Sequence, residues 1–170
     1  DPELIDKVIY EFNNANVVPD YMSNCIPLRT YPRGLDTEVI SFAALEKSWC
    51  EDTNPAFREH VTQYILHNPK MFVIAGSTDK KDNSSLRWTV DTPEDLTLIT
   101  KIYNYFGNNL FSWRDVLKLV KDHPELTTIN AHIKQKEILC RPHPLLRDSA
   151  NDIFPYKRCT PLHILHRGFS

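Results

Sequence analysis

The chain has 170 residues, of which 41% are hydrophobic and 25% charged, and its formal net charge is -2. This length fits one domain or slightly more. The near-neutral charge gives no electrostatic basis for binding nucleic acid or an anionic membrane. No apolar run approaches the ~20 residues that a membrane-spanning helix needs. The four cysteines lie far apart and form no C-x-x-C pair, which argues against a disulfide framework or zinc ribbon and favours a cytoplasmic protein.

The first segment has the pattern of an amphipathic helix. Asp1 is placed to cap a helix over residues 1–14, with Pro2 at its first position. The predicted buried face comprises Leu4, Ile5, Val8, Ile9 and Phe12. A short strand is predicted at 20–24, and the loop that follows, 27–34, is expected to leave Arg29 and Arg33 exposed. A chain that opens on a helix cap is expected to be a fragment of a larger architecture.

A second strand is predicted where Gly34-Leu35-Asp36-Thr37-Glu38 runs into Val39, Ile40 and Phe42. On an extended chain Asp36 and Glu38 lie two residues apart, so their side chains share one face, about 7 Å from each other. Paired acids of this kind can bind sugar hydroxyls or a cation. The alternative, a solvated entry to a strand, is favoured when these residues are considered alone.

Two helices are predicted next, over 41–50 and from Asn54-Pro55 to His67. The apolar stripe of the second consists of Phe57, Val61, Tyr64 and Ile65. His60 can serve as an acid or base near neutral pH, although a lone histidine on a helix is more often structural. Arg58 and Glu59 are equally compatible with a binding site and with surface charge.

The segment after residue 70 contains the strongest local signal. Strands are predicted at 70–76 and 86–90, separated by a polar turn over 77–85. Thr92 then caps a helix that has Pro93 at its first position and a predicted buried stripe of Leu96, Ile99, Tyr103 and Phe106. Asp91 therefore lies where a strand leads into a helix, which is a common ligand position in open α/β sheets. A carboxylate there can hold Mg2+, or it can simply be part of an ordinary helix start.

The remaining chain divides into helices and a tail. Ser112 is expected to cap a helix that turns Val116, Leu117 and Val120 inward and ends before Pro124. Residues 126–138 are predicted to be helical. We expect a domain over 1–139 and an irregular tail over 140–170, because the proline-rich tail shows no sustained period. Cys159, His163 and His166 form only a weak zinc pattern.

Four motifs in register resemble a known family: Gly34 to Glu38, Arg58 to Thr62, Arg87 to Leu96, and Ile129 to Lys136. They look like the later half of the cytidylyltransferase-type proteins of spore-coat polysaccharide biosynthesis, relatives of the acylneuraminate and 3-deoxy-manno-octulosonate cytidylyltransferases. The resemblance covers residues 1–136. It implies a three-layer, Rossmann-like α/β fold with a mixed sheet. It also implies that CTP and a sugar or sugar acid react to give a CMP-sugar and pyrophosphate.

The resemblance also implies roles for individual residues. The aspartate of Val-Asp-Thr-Pro-Glu-Asp-Leu is a Mg2+ ligand in the better-understood relatives, which transfers to Asp91 as catalytic metal ligand. The first two motifs, Gly34 to Glu38 and Arg58 to Thr62, would line the sugar side of the cleft. The residues placed there are Asp36, Glu38, Arg58, Glu59 and His60.

One departure from the family is serious. The N-terminal nucleotide-binding half, with its Gly- and Arg-rich phosphate loop, has no counterpart in this sequence, so we expect the fragment alone to be inactive. Two alternatives stay open: a non-catalytic binding module of the same fold, and a glycosyltransferase that uses a nucleotide-sugar. The sequence leaves open whether the protein is a monomer or a homodimer.

Overall fold

The computed structural model describes residues 1–57 and 60–134, and its elements are helices and short strands. They are α1 (Pro2–Asn13), β1 (Tyr21–Ser23), β2 (Glu38–Ile40), α2 (Phe42–Glu51), a 3-10 turn (Pro55–Phe57), α3 (Gln63–His67), β3 (Ile74–Gly76), α4 (Pro93–Phe106), α5 (Trp113–Asp122) and α6 (Glu125–Thr128). Arg58 and Glu59, the predicted end of the domain at residue 139 and the tail lie outside the described residues.

The strands form a small mixed sheet in the order β2-β1-β3. Strand β1 pairs antiparallel with β2, where Met22 lies opposite Val39, and parallel with β3, where Met22 lies opposite Ala75. All three residues of β1 are buried, as expected for a central strand covered on both faces. The prediction of an α/β fold with a mixed sheet is confirmed, although each strand is shorter than predicted, and Phe42 begins α2 instead of extending β2.

Side-chain caps fix the helix starts. Asp1 and Ser41 accept hydrogen bonds from backbone N–H groups in the first turns of α1 and α2. Thr92 does the same for α4, and Ser112 forms a reciprocal capping box with Asp115 in α5. These helices begin where the sequence predicts because a cap is a local interaction between residues two or three positions apart. Within the described residues, no helix has the length and apolar character to cross a membrane.

The helices pack in two groups. The larger core joins α1, α4 and α5 to one face of the sheet, and a smaller one joins α2 and α3 to the opposite face, because successive residues of β1, Tyr21 and Met22, point to opposite sides. The larger contains Leu4, Val8, Phe12, Met22, Tyr31, Trp88, Leu98, Ile102, Trp113, Val116, Leu119 and Val120. The smaller contains Tyr21, Ala44, Ile65 and Phe72.

The predicted stripes of α1 and α4 are partly wrong. In α1 the buried stripe is narrower than predicted, since Leu4, Val8 and Phe12 are buried but Ile5 and Ile9 are more than 40% exposed. In α4 the buried residues are Asp95, Leu98 and Ile102. A buried carboxylate thus sets the inward face of α4, and Leu96 and Tyr103 consequently face outward, each at least half exposed.

Three predicted elements are shorter or absent. The predicted helix from Asn54-Pro55 to His67 is replaced, in its described residues, by the 3-10 turn and the short helix α3. The N–H groups of Phe57, His60 and Gln63 bond to carbonyls three residues earlier, the spacing of a tight turn. Leu86 to Val90 forms only a single parallel bridge, between Arg87 and Arg33. Helix α6 ends at Thr128 and is followed by turns up to residue 132.

The bridge at Arg87 ends at once because Gly34 turns the neighbouring chain away with φ +101°. A Cβ atom on Gly34 would lie 2.4 Å from the Trp88 carbonyl oxygen. Gly34 therefore allows two of the sequence motifs to touch along their backbones.

We expect Gly34→Ala to lower the free energy of unfolding by about 3 kcal/mol, because it adds both backbone strain and a clash. Urea denaturation followed by circular dichroism measures this. Gly107→Ala is the matched control: its φ is +66° but no atom lies within 4 Å of the added Cβ, so it should cost only about 1 kcal/mol. Equal losses for the two variants would show that the Trp88 contact is unimportant.

Candidate functional site

A fully buried carboxylate, Asp95, lies at the centre of the candidate site. Its oxygens accept hydrogen bonds from Arg87 Nε at 3.0 Å and Arg87 Nη2 at 2.8 Å, and from the Thr89 hydroxyl at 2.7 Å. They also accept from the Asp91 backbone N–H at 3.2 Å and the Asn130 amide at 2.8 Å. Asp95 is 0% exposed, so these groups replace the water that a buried carboxylate loses. We call these five residues the Asp95 cluster.

Hydrogen bonds keep the central pair of the cluster ionised. The bonds from Arg87 hold the pKa of Asp95 well below its usual range and outweigh the opposing effect of burial, with further help from Thr89 and Asn130. The hydrogen bond to Asp95 in turn raises the pKa of Arg87. A two-pronged contact between a guanidinium and a carboxylate is the strongest form of ion pair in proteins.

The Asn130 side chain links a distant segment to this pair. Its Nδ2 donates both to Asp95 and to the Arg87 carbonyl oxygen, the latter at 2.9 Å. Asn130 is buried, and it belongs to the fourth sequence motif. Sequence reasoning assigned no role to Asn130, and it treated Asp95 only as a residue of the first helical turn. The sequence feature that could have identified Asp95 and Asn130 is that they lie in two of the four motifs, Arg87 to Leu96 and Ile129 to Lys136.

Asp91 lies at the exposed edge of the cluster. Its side chain is 63% exposed, and one carboxylate oxygen lies 3.1 Å from Arg87 Nη2. Its backbone N–H is held by Asp95, and the next residue, Thr92, caps α4. The chain therefore presents a fixed carboxylate to solvent at a helix start, where the helix dipole favours negative charge.

The donor chemistry at Asp91 fits Mg2+. This ion accepts one or two protein carboxylates and keeps several of its waters, and Asp91 offers an accessible carboxylate oxygen. Within residues 1–57 and 60–134, no group of three His, Cys, Asp or Glu side chains is placed to hold a metal. A hydrated ion on one carboxylate is therefore the arrangement that these residues can support, and the assignment of Asp91 as metal ligand stays a prediction.

The two predicted sugar-side acids have separate partners. Asp36 forms a two-pronged ion pair with Arg29, whereas Glu38 accepts a hydrogen bond of 2.5 Å from the Tyr21 hydroxyl. Arg29 and Arg33 were predicted to be exposed, which is wrong, since both are half-buried. Burial would raise the pKa of Asp36, but the bonds and charge of Arg29 outweigh it and the pKa is lowered.

Neighbouring groups at these acids stay protonated. Burial and the Glu38 hydrogen bond raise the pKa of Tyr21, so its hydroxyl is a donor. Burial, assisted by the nearby Asp36 charge, raises the pKa of Cys25 to about 11. The Cys25 thiol is therefore not an activated nucleophile at neutral pH, and the carboxylates and guanidinium groups dominate the charge of this region.

Asn24 holds the loop that carries Asp36. Its Nδ2 donates to the Leu35 carbonyl at 2.8 Å and its Oδ1 accepts from the Thr37 N–H at 2.9 Å. Asn24 is fully buried, so both backbone groups are satisfied by one side chain. Asn24 could not be singled out from local sequence patterns, because its partners are more than ten residues away.

Two cavities flank this region without including the predicted site residues. One, of about 370 Å³, is lined mainly by apolar side chains of α1, α4 and α5 together with Leu35 and Trp88. The other, of about 620 Å³, lies between α1, residues 78–83 and α5. Asp36, Glu38, His60 and Asp91 line neither cavity. The side chains of Asp36, Glu38 and Asp91 are exposed instead.

The Arg58-Glu59-His60 motif is only partly described. His60 is half-buried and lies between the 3-10 turn and α3, where its N–H donates to the Phe57 carbonyl at 3.1 Å. Arg58 and Glu59 lie outside the described residues, so their predicted roles, like those of Asp36, Glu38 and His60, stay predictions.

Comparison with known proteins gives two matches. The chain is 31% identical over 136 residues to an uncharacterized protein of Methanocaldococcus jannaschii, covering 79% of this chain and 54% of that protein. The structure of the present chain matches that of a cytidylyltransferase from Leptospira borgpetersenii serovar Hardjo-bovis with a TM-score of 0.70 and 26% identity. The match covers 80% of this chain and 56% of the cytidylyltransferase. The chain thus spans about half the length of these two proteins. No protein-family model matches.

The structural match confirms the predicted resemblance at the level of a cytidylyltransferase. It also supports, at this coarse level, the prediction of a nucleotidyltransferase-like enzyme. The spore-coat and acylneuraminate relationships stay predictions.

We expect Asp95→Asn to lower the free energy of unfolding at pH 7 by about 3 kcal/mol or more, because it leaves the Arg87 guanidinium without its buried counter-ion. Asp91→Asn is the matched control: it makes the same chemical change on an exposed member of the cluster and should cost no more than about 0.5 kcal/mol. Urea denaturation of the three proteins measures both values. Similar losses for the two variants would contradict the central role of Asp95.

The stability contributed by Asp95 should also depend on pH. Because the folded-state pKa of Asp95 is depressed, this contribution is complete above its unfolded pKa of about 4 and decreases as the pH falls toward the folded value. The difference in free energy of unfolding between wild type and Asp95→Asn should be constant from pH 5 to 8 and smaller by about 1 kcal/mol at pH 3. A difference that is unchanged at pH 3 would contradict the depressed pKa.

Proposed function

We propose that this chain is the metal-side and sugar-side part of a sugar nucleotidyltransferase that uses CTP. One observation carries the proposal: the Asp95 cluster presents the exposed Asp91 carboxylate from a chain whose fold matches that of a cytidylyltransferase. We further propose a Rossmann-like three-layer fold for the complete protein, with its nucleotide-binding half N-terminal to this chain. The cellular role that we propose is cytoplasmic synthesis of CMP-sugars for surface or spore-coat polysaccharide.

The proposed reaction joins a sugar to CMP. A sugar hydroxyl oxygen attacks the α-phosphorus of CTP, forming a new oxygen–phosphorus bond. The bond to the bridging oxygen of the β-phosphate breaks, pyrophosphate leaves, and the hydroxyl proton passes to water. Bound Mg2+ would neutralise charge on the transferring phosphoryl group. The contribution of this chain is to fix the Asp91 carboxylate for that ion and to orient the sugar.

The sugar-side residues in the proposal are Asp36, Glu38, Arg58, Glu59 and His60. The structure supports two of them with geometry: Arg29 holds Asp36 by a two-pronged contact, and Tyr21 donates to Glu38. Anchored carboxylates are suited to bind sugar hydroxyls, because a hydroxyl can donate to an acceptor that is already positioned. A sugar acid would meet a guanidinium group instead, and Arg58 is the proposed partner.

The proposal is tested on the natural full-length polypeptide that contains this chain. We expect Mg2+-dependent release of pyrophosphate from CTP with at least one member of a panel of sugars and sugar acids. Asp91→Ala should lower the rate by about 100-fold or more, because the metal contact on the transferring group is lost. Lys101→Ala, on the exposed face of α4, is the control and should leave the rate unchanged.

Other outcomes would identify the alternatives. Transfer from preformed nucleotide-sugars without release of pyrophosphate from CTP would identify a glycosyltransferase. Binding of a sugar without any turnover of nucleotide would identify a non-catalytic module. Either result would overturn the proposed reaction.

A further inference from the structure

One guanidinium group in the Asp95 cluster contacts two carboxylates. Arg87 Nη2 lies 2.8 Å from Asp95 Oδ2 and 3.1 Å from Asp91 Oδ2. The first carboxylate is completely buried, whereas the second is 63% exposed. The positive charge of Arg87 is therefore shared unequally between a buried partner and an exposed partner.

This sharing matters for a cation at Asp91. A positive charge a few ångströms from a carboxylate opposes the binding of a divalent ion there, because like charges repel strongly where water is partly excluded. Arg87 cannot turn away from Asp91, since its Nε also donates to Asp95 at 3.0 Å and fixes the plane of the guanidinium. A basic group is thus built into the position that the proposed metal must approach.

We propose that Asp95 is an electrostatic positioning residue that neutralises Arg87 so that Asp91 can bind a divalent cation. This inference rests on the proposed function, in which Asp91 is the metal ligand. Asp95 touches no substrate. It acts through Arg87 and through the Asp91 backbone N–H, which donates a hydrogen bond of 3.2 Å to Asp95 Oδ2.

The other contacts of Asp95 keep it suited to this role. The Thr89 hydroxyl and the Asn130 amide donate to the same carboxylate. These two hydrogen bonds help to keep Asp95 ionised in addition to those from Arg87. If Asp95 were neutral, Arg87 would still lie 3.1 Å from the Asp91 carboxylate with its charge no longer offset by Asp95, and the arginine would compete directly with the metal. Mutation of the hydrogen-bond partners of a metal ligand typically lowers the affinity for the metal by about 10- to 100-fold.

The experiment measures Mn2+ binding to the natural full-length polypeptide that contains this chain. Electron paramagnetic resonance gives the affinity, and paramagnetic broadening of the Asp91 amide in a proton–nitrogen correlation spectrum gives the place. Asp95→Asn is expected to weaken binding by about tenfold or more, since Asp95 then no longer offsets the positive charge of Arg87 beside Asp91. In the double variant Arg87→Gln with Asp95→Asn, both charges are removed, and the affinity should recover to within about threefold of wild type.

A matched control separates charge from helix stability. Asp115 occupies in α5 the same third position that Asp95 occupies in α4, and each of the two donates its backbone N–H to the hydroxyl of its capping residue. Asp115→Asn makes the same substitution away from Arg87 and should leave the Mn2+ affinity unchanged. The spectra of all variants show whether they are folded.

A further single variant covers the case in which Asp95→Asn does not fold. Arg87→Gln removes the cation beside Asp91, so it should tighten Mn2+ binding by about threefold or more. Unchanged or weaker binding in this variant would overturn the inference.

The remaining outcomes separate the inference from the proposed function. Mn2+ binding that is equal in wild type and Asp95→Asn would overturn the inference alone, and so would a double variant that fails to recover. If Mn2+ does not broaden the Asp91 amide in wild type, the metal assignment in the proposed function is wrong and the inference fails with it.

Discussion

The buried ion pair between Arg87 and Asp95 is the interaction on which the rest of the site depends. It joins the extended segment at residues 86–91 to the first turn of α4, and Asn130 adds the turn that follows α6. A pair of charges removed from water is tolerated only when its hydrogen bonds are completed, and here Thr89, Asn130 and a backbone N–H complete them. The segment that carries Asp91 is consequently held at both ends.

This constraint explains features that a hydrophobic pattern cannot. Asp95 faces the interior, so α4 buries Leu98 and Ile102 and turns Leu96 outward. Gly34 lets a second loop lie directly against the Trp88–Thr89 backbone. The Asn24 side chain holds that loop through hydrogen bonds to two of the loop's backbone groups. Two motifs that are far apart in sequence therefore become neighbours, and each presents an anchored acid: Asp36 on one and Asp91 on the other.

Local signals in the sequence predicted much of the fold. The caps at Asp1, Thr92 and Ser112 were correct because each involves residues three positions apart. The stripe of α4 was only partly correct: Ile99 and Phe106 pack against the core, but Leu96 and Tyr103 do not. The partner of Asp95, Arg87, lies eight residues earlier and cannot be inferred from helical periodicity. The same holds for the strand at 86–90, which ends because of Gly34 on another loop. The site residues were proposed from motifs, which name side chains without giving their partners.

The measurement that tests the central claim most directly is the position of a bound ion. Crystals of the natural full-length polypeptide grown with CTP and Mn2+ would show the metal by its anomalous scattering. The account predicts an anomalous peak in contact with the Asp91 carboxylate, with Arg87 still paired to Asp95. A peak bound elsewhere, with Asp91 still paired to Arg87, would contradict the claim that the Asp95 cluster exists to present a metal ligand.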